Sequence, residues 1–133
     1  MSKLADVMIT NLKSISCTSS VIEAAKRMRA EGIGSLLVER TGKLLRDPDS
    51  TIIGLVSETD IIRKVVADDK NLHNTKVESI ITSPMITVEP TWPIEEAYEM
   101  MKQQGVRYLL VTESGNIVGL ISLRDILVHL KER

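Results

Sequence analysis

Two stretches of the sequence place a hydroxyl and a carboxylate at the same spacing: Ser57-Glu58-Thr59-Asp60 and Ser122-Leu123-Arg124-Asp125. A Ser followed three residues later by an acid, ahead of an apolar run, is the pattern of a helix capping box. The same groups also suit a ligand. A carboxylate accepts two hydrogen bonds from a vicinal diol, and the unpaired N–H groups of a helix's first turn suit a phosphate. Local sequence by itself favours capping, and the two uses are compatible. Arg124 lies inside the second stretch, where the first has Thr59. A guanidinium is a strong phosphate partner, so the two stretches differ in charge.

Other chemistries find little support. His73 and His129 are far apart and have no Cys or acid at ligand spacing, which argues against a metal site. Cys17 is the one cysteine; it excludes an internal disulfide, fits a reducing interior and reads as a small buried side chain. The phosphate-loop and dinucleotide glycine patterns are absent, and Gly32-Ile33-Gly34 reads as a helix stop followed by a tight turn into a strand. No base, nucleophile and orienting group converge, so the chain is expected not to be an enzyme. A formal net charge of −1, with both signs interspersed, disfavours nucleic acid as a partner. With no Phe, one Trp and two Tyr, stacking platforms are lacking as well.

The elements that must hold these stretches come in two copies. Residues 14–38 and 87–111 align without gaps, matching Thr18 with Thr91, Val21 with Ile94, Glu23 with Glu96, Ala24 with Ala97, Met28 with Met101 and Gly32 with Gly105. Gly54-Leu-Val-Ser-Glu-Thr-Asp-Ile-Ile62 then matches Gly119-Leu-Ile-Ser-Leu-Arg-Asp-Ile-Leu127. The offset falls from 73 (Thr18 to Thr91) to 65 (Asp60 to Asp125), so the first copy carries eight extra residues. They fall within 40–53, where Gly42, Asp47, Pro48 and Asp49 have the composition of a loop tip.

Each copy reads β-α-β-β-α. A short strand near 13–16 or 86–88 leads to a helix whose apolar faces are Val21, Ala24, Ala25 and Met28, and Ile94, Ala97, Tyr98 and Met101. Pro93 suits a first helical turn, and Gly32 and Gly105 stop the helices. Apolar runs at 35–38 and 108–111, strands at 52–56 and 117–121, and helices from Glu58 and Leu123 follow. In the second copy a hairpin crosses Glu113 to Asn116. We assign 1–68 and 77–133 to the copies, with 69–76 as a polar linker. Neither copy can bury both faces of a three-stranded sheet, so the two are expected to pack sheet to sheet about a pseudo-two-fold axis.

The G-h-h-S-x-x-D-h-h stretch, closing each of two matched β-α-β blocks, resembles the cystathionine-β-synthase (CBS) domain, and the tandem resembles a Bateman module. The resemblance implies a regulatory fold whose clefts bind AMP, ADP, ATP or S-adenosylmethionine and signal to an effector protein. It implies that Asp60 and Asp125 hold ribose hydroxyls, with Ser57 and Ser122 near phosphate. Clefts of this type combine the motif of one copy with the first strand and helix end of the other. By that rule Asp125 goes with Lys13, Ser14, Ile33 and Gly34, and Asp60 with Thr82, Ile86, Thr87, Val106, Arg107 and the adjoining Tyr108. Ile33, Ile86 and Val106 would flank the adenine, and Arg107 and Arg124 would meet phosphate. If one site alone takes a phosphorylated ligand, the Asp125 site is expected. The competing reading is a ligand-free dimerisation or scaffold module.

The rest of the chain fits a protein of the cytoplasm. Met1 to Asp6 lacks the apolar centre of a signal peptide, and no run approaches a membrane span. Arg63 and Lys64 read as solvated helix residues. Ile61, Ile62, Val65 and Val66, with Ile126, Leu127, Val128 and Leu130, make both closing helices apolar around much of their circumference, which predicts a homodimer.

Overall fold

In a computed structural model of the chain, residues 2–40 and 51–132 are described. The insertion placed at 40–53 therefore lies mostly outside the described residues. Its flanks are joined, since Arg40 N–H donates to the Thr51 carbonyl at 2.9 Å and Thr51 N–H to Glu39 Oε1 at 2.9 Å.

The chain forms two compact units, Lys13–Pro84 and Met1–Leu12 with Met85–Arg133. In the first, β1 (Ser14–Ser16), α1 (Val21–Glu31), β2 (Ser35–Glu39) and β3 (Ile52–Ser57) precede α2 (Glu58–Ile61). The sheet order is β1-β2-β3, with β1 parallel and β3 antiparallel to β2. In the second, β4 (Thr87–Val88), α3 (Ile94–Gln104), β5 (Tyr108–Glu113), β6 (Asn116–Ser122) and α4 (Leu123–Lys131) repeat the plan. Both sheets carry a register irregularity at the same point, between Val38 and Glu39 and between Val111 and Thr112. This is the expected β-α-β-β-α order, twice.

Local chemistry sets the ends of these elements. Gly32 and Gly105 close α1 and α3 at φ +66°, the left-handed region that a side chain disfavours. Pro93 stands one residue earlier than expected, as the N-cap of α3. The β5–β6 hairpin turns on Ser114 and Gly115, both at positive φ (52° and 80°), the two-residue loop that matches strand twist. The helix from Glu58 is not continuous: α2 gives way to a π-helical turn over Ile62–Val66, where Ala67 N–H donates to the Ile62 carbonyl at 2.9 Å.

The units do not coincide with the sequence copies. The first residues of each copy fold onto the other copy's elements. Val77 and Glu78 N–H donate to the Ser19 and Cys17 carbonyls at 2.9 and 3.1 Å, and Leu4 and Ala5 N–H donate to those of Trp92 and Pro90 at 2.9 and 3.1 Å. Thr75 and Leu72 accept from Val21 and Ile22 at 2.8 and 3.1 Å, so the polar linker satisfies the first N–H groups of α1. Leu55 and Thr82 exchange backbone bonds of 3.1 and 2.8 Å, as Ile9 and Leu120 do at 2.8 and 3.0 Å. Here the motif glycines are needed for space. A Cβ on Gly54 would lie 2.5 Å from the Thr82 carbonyl oxygen, and one on Gly119 would lie 2.5 Å from Met8 Sδ. The cores are aliphatic: Val21, Ala24, Met28, Leu36, Val38 and Val56 in one unit, and Ile94, Ala97, Met101, Leu109, Val111 and Ile121 in the other.

Candidate functional site

Ser57 and Ser122 end their strands and cap the helices that follow. Ser57 Oγ accepts from Asp60 N–H at 3.1 Å and Ser122 Oγ from Asp125 N–H at 3.0 Å. Capping, the reading that local sequence favours, is thus present in both copies. The chain entering each middle strand is tied to the same turn. Glu58 N–H donates to the Gly34 carbonyl at 3.0 Å and Leu123 N–H to that of Arg107 at 2.8 Å. Ser35 pairs with Ser57 and Tyr108 with Ser122. Ile33 and Gly34 therefore adjoin the Asp60 turn, and Val106, Arg107 and Tyr108 adjoin the Asp125 turn.

The first strands do not join the motif of their own unit. Lys13 and Ser14, and Ile86 and Thr87, lie across the middle strand from the motif strand, about 10 Å away at two strand spacings. Lys13 pairs with Glu31 at 3.5 Å, and the Arg27 guanidinium donates to the Ser14 carbonyl. Thr82 does reach the motif: its hydroxyl donates to Asp60 at 3.3 Å from either carboxylate oxygen.

The two acids differ in what surrounds them. Asp60 is buried and accepts from Ser57 N–H at 2.9 Å and Ser57 Oγ at 3.0 Å, completing the capping box. Lys64 Nζ stands 2.9 Å from its Oδ1 and also donates to the Ile80 carbonyl at 3.1 Å. Lys64 is partly solvated, as the sequence suggests, but its four-residue spacing from Asp60 and the return of residues 77–84 also give it two partners. Asp125 is half-buried, and its carboxylate makes no hydrogen bond or ion pair among the described residues. Arg107 and Arg124 are exposed and likewise unpaired among the described residues.

Sequence reasoning missed the segments that return onto each copy. Their signal is faint: Lys3-Leu-Ala-Asp-Val-Met-Ile9 and Lys76-Val-Glu-Ser-Ile-Ile-Thr82 share the offset of 73 seen in the helical block. It also missed Arg27. Among the described residues no group of His, Cys, Asp and Glu could hold a metal, and no helix is long and apolar enough to cross a membrane. Cys17 is buried and its thiol is pushed up, first by burial and then by Glu78.

Comparison with known proteins agrees with this architecture. The CBS domain family matches residues 4–67 and again 77–132. A Methanopyrus kandleri protein is 34% identical over 111 residues, 83% of this chain and 53% of that protein. The CBS domain-containing protein YhcV of Bacillus subtilis is 26% identical, over 97% of this chain and 86% of its own length. The chain thus spans about half of the first relative and most of the second. A solved Burkholderia ambifaria structure with CBS domains, assigned provisionally to signal transduction, superposes with a TM-score of 0.82 at 30% identity, over 97% of this chain and 93% of that one. The hexameric CBS-CP12 protein of bloom-forming cyanobacteria gives 0.81 at 28% identity, over 96% and 70%.

Proposed function

Because the chain belongs to the CBS domain family and carries two copies in tandem, we propose that it is a regulatory module that binds an adenosine-containing ligand and passes binding on to an effector protein. AMP, ADP, ATP and S-adenosylmethionine are the candidates. The observation that carries the reading is the Asp125 carboxylate: it stands at a capped helix start with no partner among the described residues, in a turn that also holds Arg124 and is bonded through Leu123 N–H to the Arg107 carbonyl, both arginines being exposed and unpaired among the described residues. A carboxylate for a diol and guanidinium groups for phosphate are the donor and acceptor set that a nucleotide requires. Asp60, with its carboxylate already engaged, is the weaker of the two candidates.

Self-association belongs to the same proposal. Ile62 and Val66 in one unit are 60 and 57% exposed, and Leu127 and Val128 in the other are both 47% exposed, so each unit has apolar side chains that a second copy of the chain would cover. The cyanobacterial CBS-CP12 neighbour is a hexamer, which supports this reading. The second reading, a ligand-free scaffold, is favoured by the complete capping box at Asp60, which needs no ligand to explain it.

A thermal-shift panel of AMP, ADP, ATP and S-adenosylmethionine separates the two readings, since a ligand bound by the native state alone raises its stability. The sensor reading expects at least one compound to raise the melting temperature of the wild type but not of Asp125→Asn. No shift at millimolar concentration leaves the scaffold.

A further inference from the structure

The motif recurs in both copies, yet residues outside it set whether its carboxylate is available. Four groups converge on Asp60: the Ser57 N–H at 2.9 Å, the Ser57 hydroxyl at 3.0 Å, the Thr82 hydroxyl at 3.3 Å and the Lys64 ammonium at 2.9 Å. Two of them, Lys64 and Thr82, are foreign to the motif. Lys64 also holds the Ile80 carbonyl at 3.1 Å, so one side chain ties the acid to the segment that returns over it. At the matching offsets the second copy has His129 for Lys64 and Ile9 for Thr82. Ile9 has no side-chain donor, and His129 Nε2 is buried without a hydrogen-bond partner among the described residues. Glu58 adds to the contrast. Its carboxylate lies over Gly34, where an added Cβ would meet Oε1 at 2.5 Å, while the second copy has Leu123 and Arg107 at these places.

We propose that Lys64 and Thr82 determine which copy accepts a ligand, by occupying Asp60 from within the chain and so leaving Asp125 as the one diol acceptor. This rests on the adenosine reading above and names the residues that restrict it to one site per chain. A ribose approaching Asp60 must displace an ammonium and a hydroxyl that are already placed; at Asp125 it displaces only water. The lock consists of side chains alone, so it can be removed without altering Ser57 or Asp60, while the returning segment that Lys64 ties down at the Ile80 carbonyl is loosened.

The test uses the full chain with AMP as the probe, in wild type and in the double variant Lys64→Met, Thr82→Val. Equilibrium dialysis counts AMP bound per chain, and hydrogen exchange reads the Leu55 and residue-82 amides against those of Ile9 and Leu120 as the internal control. The proposal expects one equivalent in the wild type, lost in Asp125→Asn. In the double variant it expects a second equivalent, bound about tenfold or more tighter than at the wild-type first copy and lost again on Asp60→Asn. Exchange at Leu55 and residue 82 should quicken about fivefold while the control pair stays unchanged. One equivalent in both proteins, or a double variant that binds more weakly because Lys64 itself serves the ligand, overturns this proposal and leaves the adenosine reading standing. No AMP bound by either protein overturns both. Unchanged exchange at Leu55 and residue 82 overturns the lock whatever the stoichiometry.

Discussion

Lys64 Nζ lies 2.9 Å from Asp60 Oδ1, an ion pair for which the second copy, with His129 four residues after Asp125, has no counterpart among the described residues. The two acids of a repeated motif therefore do different work. Asp60 is a structural acceptor inside its own unit, and Asp125 has its carboxylate to spare.

The first prediction separates these roles by stability. Asp60→Ala leaves the Ser57 N–H and the Thr82 hydroxyl without their acceptor and should destabilise the fold by about 2 kcal/mol. Little of that comes from the ion pair itself, because Lys64 is 45% exposed and such pairs are screened. Asp125→Ala removes only an acid from a helix's first turn, a loss of about 0.5 kcal/mol. Urea denaturation of the two variants measures both; equal losses would contradict the asymmetry.

A second prediction concerns the glycine that opens each motif. Alanine at Gly54 meets the backbone carbonyl of Thr82, which cannot move without breaking its pairing with Leu55. Alanine at Gly119 meets chiefly the sulfur of Met8, a flexible side chain that can turn aside. Gly54→Ala should cost about 3 kcal/mol and Gly119→Ala about 1 kcal/mol, within the usual range for overpacking. Thermal unfolding of the single variants orders them.

These glycines show what could be read from the sequence and what could not. Strands, helices and both Ser caps were legible because each depends on residues near in sequence: the three-four apolar spacing of α1 and α3, Gly32 and Gly105 at left-handed positions, and a Ser three residues before an acid. The two Ser-x-x-Asp patterns differ in charge at Thr59 and Arg124, but nothing in them tells that the Asp60 carboxylate is already engaged. That engagement depends on Thr82, twenty-two residues beyond Asp60, and on a returning segment whose destination no local pattern encodes. Lys64 looked like no more than a surface residue for the same reason: its second partner is the Ile80 carbonyl, contributed by that segment.

The third prediction is a pH dependence. Burial raises the Cys17 thiol above its ordinary value of 9.0, and the neighbouring Glu78 carboxylate adds to the rise. The folded state thus keeps the proton that the unfolded state releases above pH 9.0. The resulting stability is complete below that pH and is lost as pH climbs through the folded-state value. Cys17→Ala should flatten the decline of stability above pH 9.0 relative to wild type, as read by urea midpoints at each pH. A buried thiol also reacts slowly, so alkylation of Cys17 should lag behind that of a free thiol.

The last prediction bears on assembly. Ile62 and Leu127 occupy matching positions after Asp60 and Asp125 and expose 60 and 47% of their surface. Neither appears among the residues that build its own unit's core, so a charge there should cost the monomer little, within about 0.5 kcal/mol. The same charge would be buried without a partner if a second chain covered the surface, at a cost of several kcal/mol for each site. Ile62→Lys with Leu127→Lys should therefore convert a dimer into monomer at micromolar concentration while leaving the melting transition of the fold cooperative. Light scattering reads the mass directly. A wild type that is monomeric at that concentration, or a double variant that stays assembled, would place the contact elsewhere or remove it.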